Sequence, residues 1–254
     1  MSLRASLIAI ALLAGCDRER PPSLPGDGDG TGTVGDGDGD GDGDGDGDAS
    51  PGFAISGVVC ILSDLRLPER CDAGDASGLT VRDRSSNTSA TTSASGAFTL
   101  PLAPVSSATI EVTGTGVHAS IVPLALGPSG ASNVLFPVPN ASAWASLVLT
   151  TIGAEPEGSA AIAAYLFEGD VPAVGGEVFS PAGATIAPYY DDGGALQWTQ
   201  NGFAGTEGAA LMFGVPTGVD ATFTALNDTA SVVETVTVPV VDDATTFVFV
   251  ELTE

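Results

Sequence analysis

Beyond Ser50 the chain is written in short runs of alternating apolar and polar residues, and this period of two constrains its fold more than any other feature. In Ala108-Thr109-Ile110-Glu111-Val112-Thr113 the apolar side chains share one face and the polar ones the other, as a half-buried strand requires. Phe98, Leu100 and Leu102 repeat the pattern, as do Ala221, Phe223 and Ala225 with Thr222 and Thr224 opposite. Clusters of Gly, Pro, Asn and Asp break these runs roughly every 8 to 12 residues, the punctuation of a sandwich or barrel. The body is therefore read as all-β. One segment departs from the pattern: Trp144, Leu147, Val148 and Ile152 stand at helical spacing between Ser142 and Ile152, which predicts a short connecting helix packed between two halves.

Two halves are visible as an internal repeat. The stretch from Thr92 through Gly96 and Phe98 to Pro101, followed by Ala108 to Val112, parallels Thr206 through Gly208 to Phe213, followed by Ala221 to Ala225. From the glycine to the following strand the spacing is 12 residues in one copy (Gly96 to Ala108) and 13 in the other (Gly208 to Ala221). Two copies of one sandwich are expected, over residues 53–139 and 140–254, the second led by the short helix.

The N-terminus has a different logic. Arg4 precedes the apolar run Leu7 to Leu13, and Ala14-Gly15-Cys16 follows, which is the order of an export signal. The run is too short to span a bilayer, which needs roughly 20 apolar residues. Leu13-Ala14-Gly15-Cys16 resembles a bacterial lipobox, which implies that residues 1–15 are a signal peptide and that the Cys16 thiol carries a diacylglyceryl group, palmitate-type chains included. Each buried CH₂ contributes about 0.8 kcal/mol, so several acyl chains hold a protein on a membrane without spanning it. The expected address is the cell envelope, on the outer membrane or the periplasmic face of the inner one.

Residues 16–52 then form an expected disordered tether. After Cys16 the segment is almost without apolar residues beyond Leu24 and Val34, too few to offset the entropy of ordering. Gly and Asp alternate from Asp27 to Asp48, and nine of the chain's 32 acids fall there. A neutral coil of this length spans about 30 to 35 Å, and repulsion between carboxylates extends it further. Carboxylates at every second residue also resemble the start of a calcium loop, and calcium is the one ion the composition suggests. Position 12 of such a loop also needs an acid, and only the phase slip at Thr33-Val34 lets a loop starting at Asp27 reach Asp38. The simpler reading is a solvated spacer, and no cofactor is implied.

Charge removes whole classes of function. The net charge is -25, there is no Lys, and after Arg84 there is no cation at all against 16 acids. A nucleic-acid binder needs clustered cations, so nucleic acid is excluded as a partner. The single His makes a Ser-His-Asp mechanism depend on His118, which alternation in Val117-His118-Ala119-Ser120-Ile121 turns toward solvent. Asp75-Ala76-Ser77-Gly78 and Asp228-Thr229-Ala230 do not match paired aspartic-protease loops. A glycosidase needs only two suitably spaced carboxylates, and nothing in the sequence selects a pair.

The order Ile55-Ser56-Gly57-Val58-Val59, Gly78 to Val81, Thr92 to Gly96, Phe98-Thr99-Leu100 and Ile110-Glu111-Val112 resembles the carboxypeptidase regulatory-like domain. Ala160 to Phe167, Val174 to Val178, Thr206 to Phe213 and Gly214 to Val219 resemble it again. The resemblance implies two tandem transthyretin-like, Ig-like β-sandwiches of about seven strands each, which serve as non-catalytic modules in secreted proteins.

The copies differ in two insertions, and insertions on a rigid sandwich are where binding tends to reside. Copy one is longer between Ile55 and Val81, and the excess holds Cys60 and Cys71. With Cys16 lipidated these are the only remaining pair, so a disulfide is expected in an oxidising compartment. Copy two is longer between Val178 and Gly208, and the excess holds Tyr189, Tyr190, Asp191, Asp192 and Trp198. Aromatic faces beside carboxylates suit sugar rings, and Asp191 with Asp192 suits a hard cation. The competing reading makes Tyr189 and Trp198 caps of the core and Asp191-Asp192-Gly193-Gly194 a hairpin turn. The expected protein is a lipid-anchored, non-enzymatic structural or adhesive module. An envelope protein or a polysaccharide is its expected partner, and a carbohydrate-binding or calcium-dependent receptor is the alternative.

Overall fold

The computed structural model describes residues 53–191 and 197–252. Copy one supplies β1 (Ala54–Leu62), β2 (Thr80–Asp83), β3 (Ser89–Thr91), β4 (Ala97–Pro101), β5 (Ser107–Thr113), β6 (Ala119–Ala125) and β7 (Gly130–Pro139). Helix α1 (Ala141–Thr151) follows. Copy two supplies β8 (Ser159–Glu168), β9 (Val171–Pro172), β10 (Glu177–Phe179), β11 (Tyr189–Asp191), β12 (Trp198–Thr199), β13 (Ala209–Pro216), β14 (Ala221–Leu226), β15 (Val233–Val238) and β16 (Ala244–Glu251). The all-β sandwich class read from alternation is the class observed. No helix among the described residues is long and apolar enough to cross a membrane.

The repeat holds strand by strand. β1 pairs antiparallel with β4 and parallel with β7, and β8 pairs antiparallel with β13 and parallel with β16. The second sheets correspond too: β2 to β5 to β6 in copy one, β10 to β14 to β15 in copy two. The two repeat glycines explain themselves. Gly96 and Gly208 both have left-handed backbones, and their carbonyls accept from Val59 N and Leu166 N at 2.9 and 2.8 Å. A Cβ would stand 2.8 Å from the Val59 carbonyl oxygen at Gly96 and 2.5 Å from that of Leu166 at Gly208. Only glycine fits either turn.

The two sandwiches share a sheet. A three-stranded sheet, β4-β1-β7, and another, β10-β14-β15, flank one ten-stranded sheet ordered β12-β11-β13-β8-β16-β6-β5-β2-β3, with β9 beside β8. The junction is the parallel pairing of β16 with β6, so the second sheet of copy one runs directly into the first sheet of copy two. In consequence β8, β13 and β16 are covered on both faces. Ala161, Ala163, Tyr165, Leu211, Phe213 and Phe247 enter the core shared with copy one, while Ile162, Leu166, Met212, Val248 and Val250 enter copy two's own core. Strands buried on both faces read as unbroken apolar runs, which is how Ala160 to Phe167 and Ala209 to Phe213 are written.

Helix α1 begins where the sequence places it. Asn140 caps it, its side-chain oxygen accepting from Ser142 N and Ala143 N at 3.0 and 3.3 Å. Trp144 and Val148 face the shared core, as expected for a helix that packs between the copies.

His118 corrects the sequence reading. It does not face solvent: it is 8% exposed, its ring stacked on Trp144 with centroids 4.2 Å apart and planes 14° apart. Alternation assumes that one face of a strand is open. Here the face carrying His118, Ser120, Val122 and Leu124 is the one turned into copy one's core, with Trp144 of α1 laid on His118, and Ile121 on the opposite face is buried as well.

Candidate functional site

The two insertions provide the candidate site, and they behave differently from what a ligand platform requires. In copy two, β11 and β12 form a hairpin in the register Tyr190 opposite Thr199 and Asp191 opposite Trp198. Tyr189 is half-buried, its ring edge-on to Phe213 at 6.0 Å, and its hydroxyl donates to the Thr151 carbonyl at the end of α1 at 2.8 Å. Tyr190 is buried. Its hydroxyl accepts from Val178 N at 3.1 Å and donates to Val178 O at 3.0 Å, tying the β10 edge to β11.

Asp191 is 1% exposed, and its two oxygens accept three backbone N–H groups. Oδ1 takes Gly205 N at 3.0 Å and Ala209 N at 2.8 Å, and Oδ2 takes Glu207 N at 2.7 Å. Burial pushes its carboxyl above the ordinary range, and those three donors pull against the shift without cancelling it. A carboxylate so engaged organises the turn that leads into Gly208. Trp198 is half-buried and packs against the shared core. Asp192, with Gly193 and Gly194 of the expected turn, lies outside the described residues. So does the Asp27 to Asp48 run on which the calcium reading rests, and so does Cys16.

Copy one's insertion meets copy two. Cys60 and Cys71 form the expected disulfide, closing the start of the β1–β2 connection. Within the loop Arg66 donates three hydrogen bonds to Asp64, from its backbone N–H at 3.1 Å, from Nε at 2.8 Å and from Nη2. Burial opposes ionisation of Asp64, yet the Arg66 bonds hold its carboxyl below the usual range. The Arg66 guanidinium is held up chiefly by Asp64 and further by the fields of Asp191 and Glu207, so the loop lies toward copy two's hairpin. The Tyr165 hydroxyl on β8 donates to the Leu65 carbonyl of the same loop. Tyr165, Phe247 and Phe249 stack beside it at centroid distances of 6.3 and 5.2 Å from Tyr165.

A cleft of about 510 Å³ lies at the free edge of copy two, between β10, the segment 180–188 and the β11–β12 hairpin. Phe179, Ile186 and Tyr190 give it apolar walls, and Glu177, Thr185 and Gln200 give it polar ones. Phe179 is 55% exposed. The Gln200 side-chain amide donates to the Ala187 carbonyl at 3.1 Å, which steadies the rim. Only Tyr190 of the residues singled out by sequence lines it. The others in the lining were missed because Phe179 sits outside the aromatic-acidic run and Ile186 in a Pro/Gly-rich loop.

Asp75 accepts from Ser77 N at 2.8 Å in a local turn, and among the described residues no three of His, Cys, Asp and Glu gather as metal ligands. Around His118 burial lowers the imidazole pKa to about 4, against a weaker upward pull from Asp243. A cation over an indole face gains about 0.5 to 2 kcal/mol, too little to offset that desolvation.

No protein-family model matches the chain. No curated protein matches it either. Among solved structures it is similar to two complexes of the type II Cohesin-X-Dockerin kind from Acetivibrio cellulolyticus, an N-terminal and a C-terminal interface mutant. Identity is 14% and 18%, TM-score 0.26 and 0.25, and each match covers 35% of this chain and 56% of the other. The chain thus spans little more than half the length of the chains it matches, and TM-scores this low carry no inference about what it binds.

Proposed function

We propose that this chain is a lipid-anchored lipoprotein of the cell envelope whose two carboxypeptidase regulatory-like sandwiches act as a non-enzymatic structural or adhesive module. Residues 1–15 direct export, Cys16 carries the lipid, residues 16–52 hold the folded body off the membrane, and an envelope protein or polysaccharide is the partner. The observation that best supports the reading is where the polar groups of the insertions go. Asp191, Tyr189 and Tyr190 hold backbone groups, Arg66 is bonded to Asp64 within its own loop, and Tyr165 ties copy two to the Leu65 carbonyl of copy one. Polar groups engaged in holding the body's own backbone and loops suit a rigid spacer or adhesin better than a catalyst. Replacing Cys16 with Ser tests the anchor: the variant is expected in the soluble fraction and without incorporated palmitate. Membrane fractionation unchanged from the unaltered protein would refute it.

The cleft at copy two's edge favours a second reading, a carbohydrate receptor. Exposed Phe179 offers an aromatic face, and Gln200 and Glu177 offer hydrogen-bonding groups. A glycan array on the full chain separates the readings. Binding lost on Phe179→Ala supports the receptor, and no binding across the array supports the purely structural module.

A further inference from the structure

The seam between the copies carries polar groups that the fold does not use. β6 and β16 meet through three residue pairs, Ala119 with Ala244, Ser120 with Thr245 and Ile121 with Thr246. On its other side β16 is held to β8 through seven. Ser120 and Thr245 are fully buried, stand opposite one another, and have hydroxyls without a hydrogen-bond partner among the described residues. Two residues before Ser120, and so on the same face, His118 is in the same condition: its Nε2 is buried and unpartnered while its ring lies on Trp144.

We propose that this cluster is an acid-operated latch, in which protonation of His118 unseats the Trp144 stack and opens the β6–β16 contact while the rest of the body stays folded. Neutral imidazole can leave one ring nitrogen idle, at the cost of a single unmade hydrogen bond. Imidazolium must place two N–H donors and a net charge in the same space, and Nε2 has no acceptor within reach. Two acidic groups face the pair. Asp243, exposed in the connection before β16, favours the cation without bonding to Nε2. Glu155, just past α1, accepts from Trp144 Nε1 at 3.3 Å. Burial holds the Glu155 carboxyl above its ordinary range, so acid also weakens the acceptor that seats the indole. With His118 pushed down to about 4, the latch stays closed at neutral pH and releases under acid. The site of release is set by the pairing: the three-pair β6 side of β16 gives way before the seven-pair β8 side.

The test uses the full chain with Trp198→Phe, which leaves Trp144 as the sole indole of the two in the sequence. Acid titration is expected to move Trp144 emission in one step centred near pH 4. At about pH 3.5, pepsin is expected to cut around residues 114–121 about tenfold faster than in His118→Phe, which keeps an aromatic stack and takes no proton. His118→Gln serves the same purpose should the Phe variant fail to fold by circular dichroism at neutral pH. The latch is refuted if the variants titrate and are cut like the parent, or if emission titrates with no change in cleavage. Hydrogen exchange at residues 119–121 of the unaltered chain, corrected for intrinsic rates, needs no variant at all. Acceleration in acid supports the proposal, and unchanged protection overturns it.

Discussion

The same strand plays opposite parts in the two copies. β4 and β13 are equivalents, yet the outward residues of β4, Thr99 and Pro101, are exposed, while their counterparts Leu211 and Phe213 on β13 are fully buried. β1 and β8 repeat the contrast: Val58 is 38% exposed and its counterpart Tyr165 only 1%. One topology therefore yields an ordinary half-open sheet in copy one and the two-sided centre of the molecule in copy two. The same sandwich thus stands at the rim in one copy and in the middle in the other, and the outward-facing residues differ accordingly.

Breaking that contrast gives the largest effect. Leu211→Ala is expected to cost about 3 kcal/mol by urea unfolding, and Thr99→Ala at the matching exposed position less than about 0.5 kcal/mol. Equal costs would mean that the two sheets are not used differently. Removing the Cys60–Cys71 bridge with Ser at both positions is expected to lower stability by about 2 to 3 kcal/mol, because the loop it closes has no counterpart in copy two and carries Leu65 to Tyr165.

Acid sharpens the contrast at the seam. His118 has a folded pKa of about 4 against an ordinary 6.5, so its stabilising contribution is complete above pH 6.5 and is lost as pH falls from 6.5 to 4. The full shift corresponds to about 3 kcal/mol. The stability difference between the parent and His118→Phe, followed by urea unfolding across that range, should narrow or reverse toward acid, and a constant difference would contradict it. The smallest effect belongs to the cap of the connecting helix. Asn140→Ala is expected to cost about 1 kcal/mol and to leave both sandwiches folded by circular dichroism.

Much of this was legible in the residues. Alternation in Ala108 to Thr113 and Ala221 to Ala225 identified strands, Gly96 and Gly208 identified the repeat, and Trp144 with Val148 identified the helix. What alternation misjudged was the surroundings of each strand. Alternation turns His118 toward solvent because it takes the Val117-Ala119-Ile121 face as the core side, whereas His118 shares the core face with Val122 and Leu124 and Ile121 is buried too, and a period of two does not say which face is inner when both are covered. The fusion of the sandwiches had a signal, the unbroken apolar runs from Ala160 to Phe167 and Ala209 to Phe213, which a half-exposed strand does not show. Aromatic and acidic residues clustered in an insertion were ambiguous for a physical reason. Tyr and Asp are equally apt to hold a ligand or a loop's own backbone N–H groups, and only the three donors around Asp191 tell which task it has.

The central claim is that the copies form one cooperative body through the shared sheet, and scanning calorimetry of the full chain tests it most directly. A single transition, with calorimetric and van't Hoff enthalpies in agreement, is the predicted result. Two transitions, one of which survives Leu211→Ala unchanged, would contradict it.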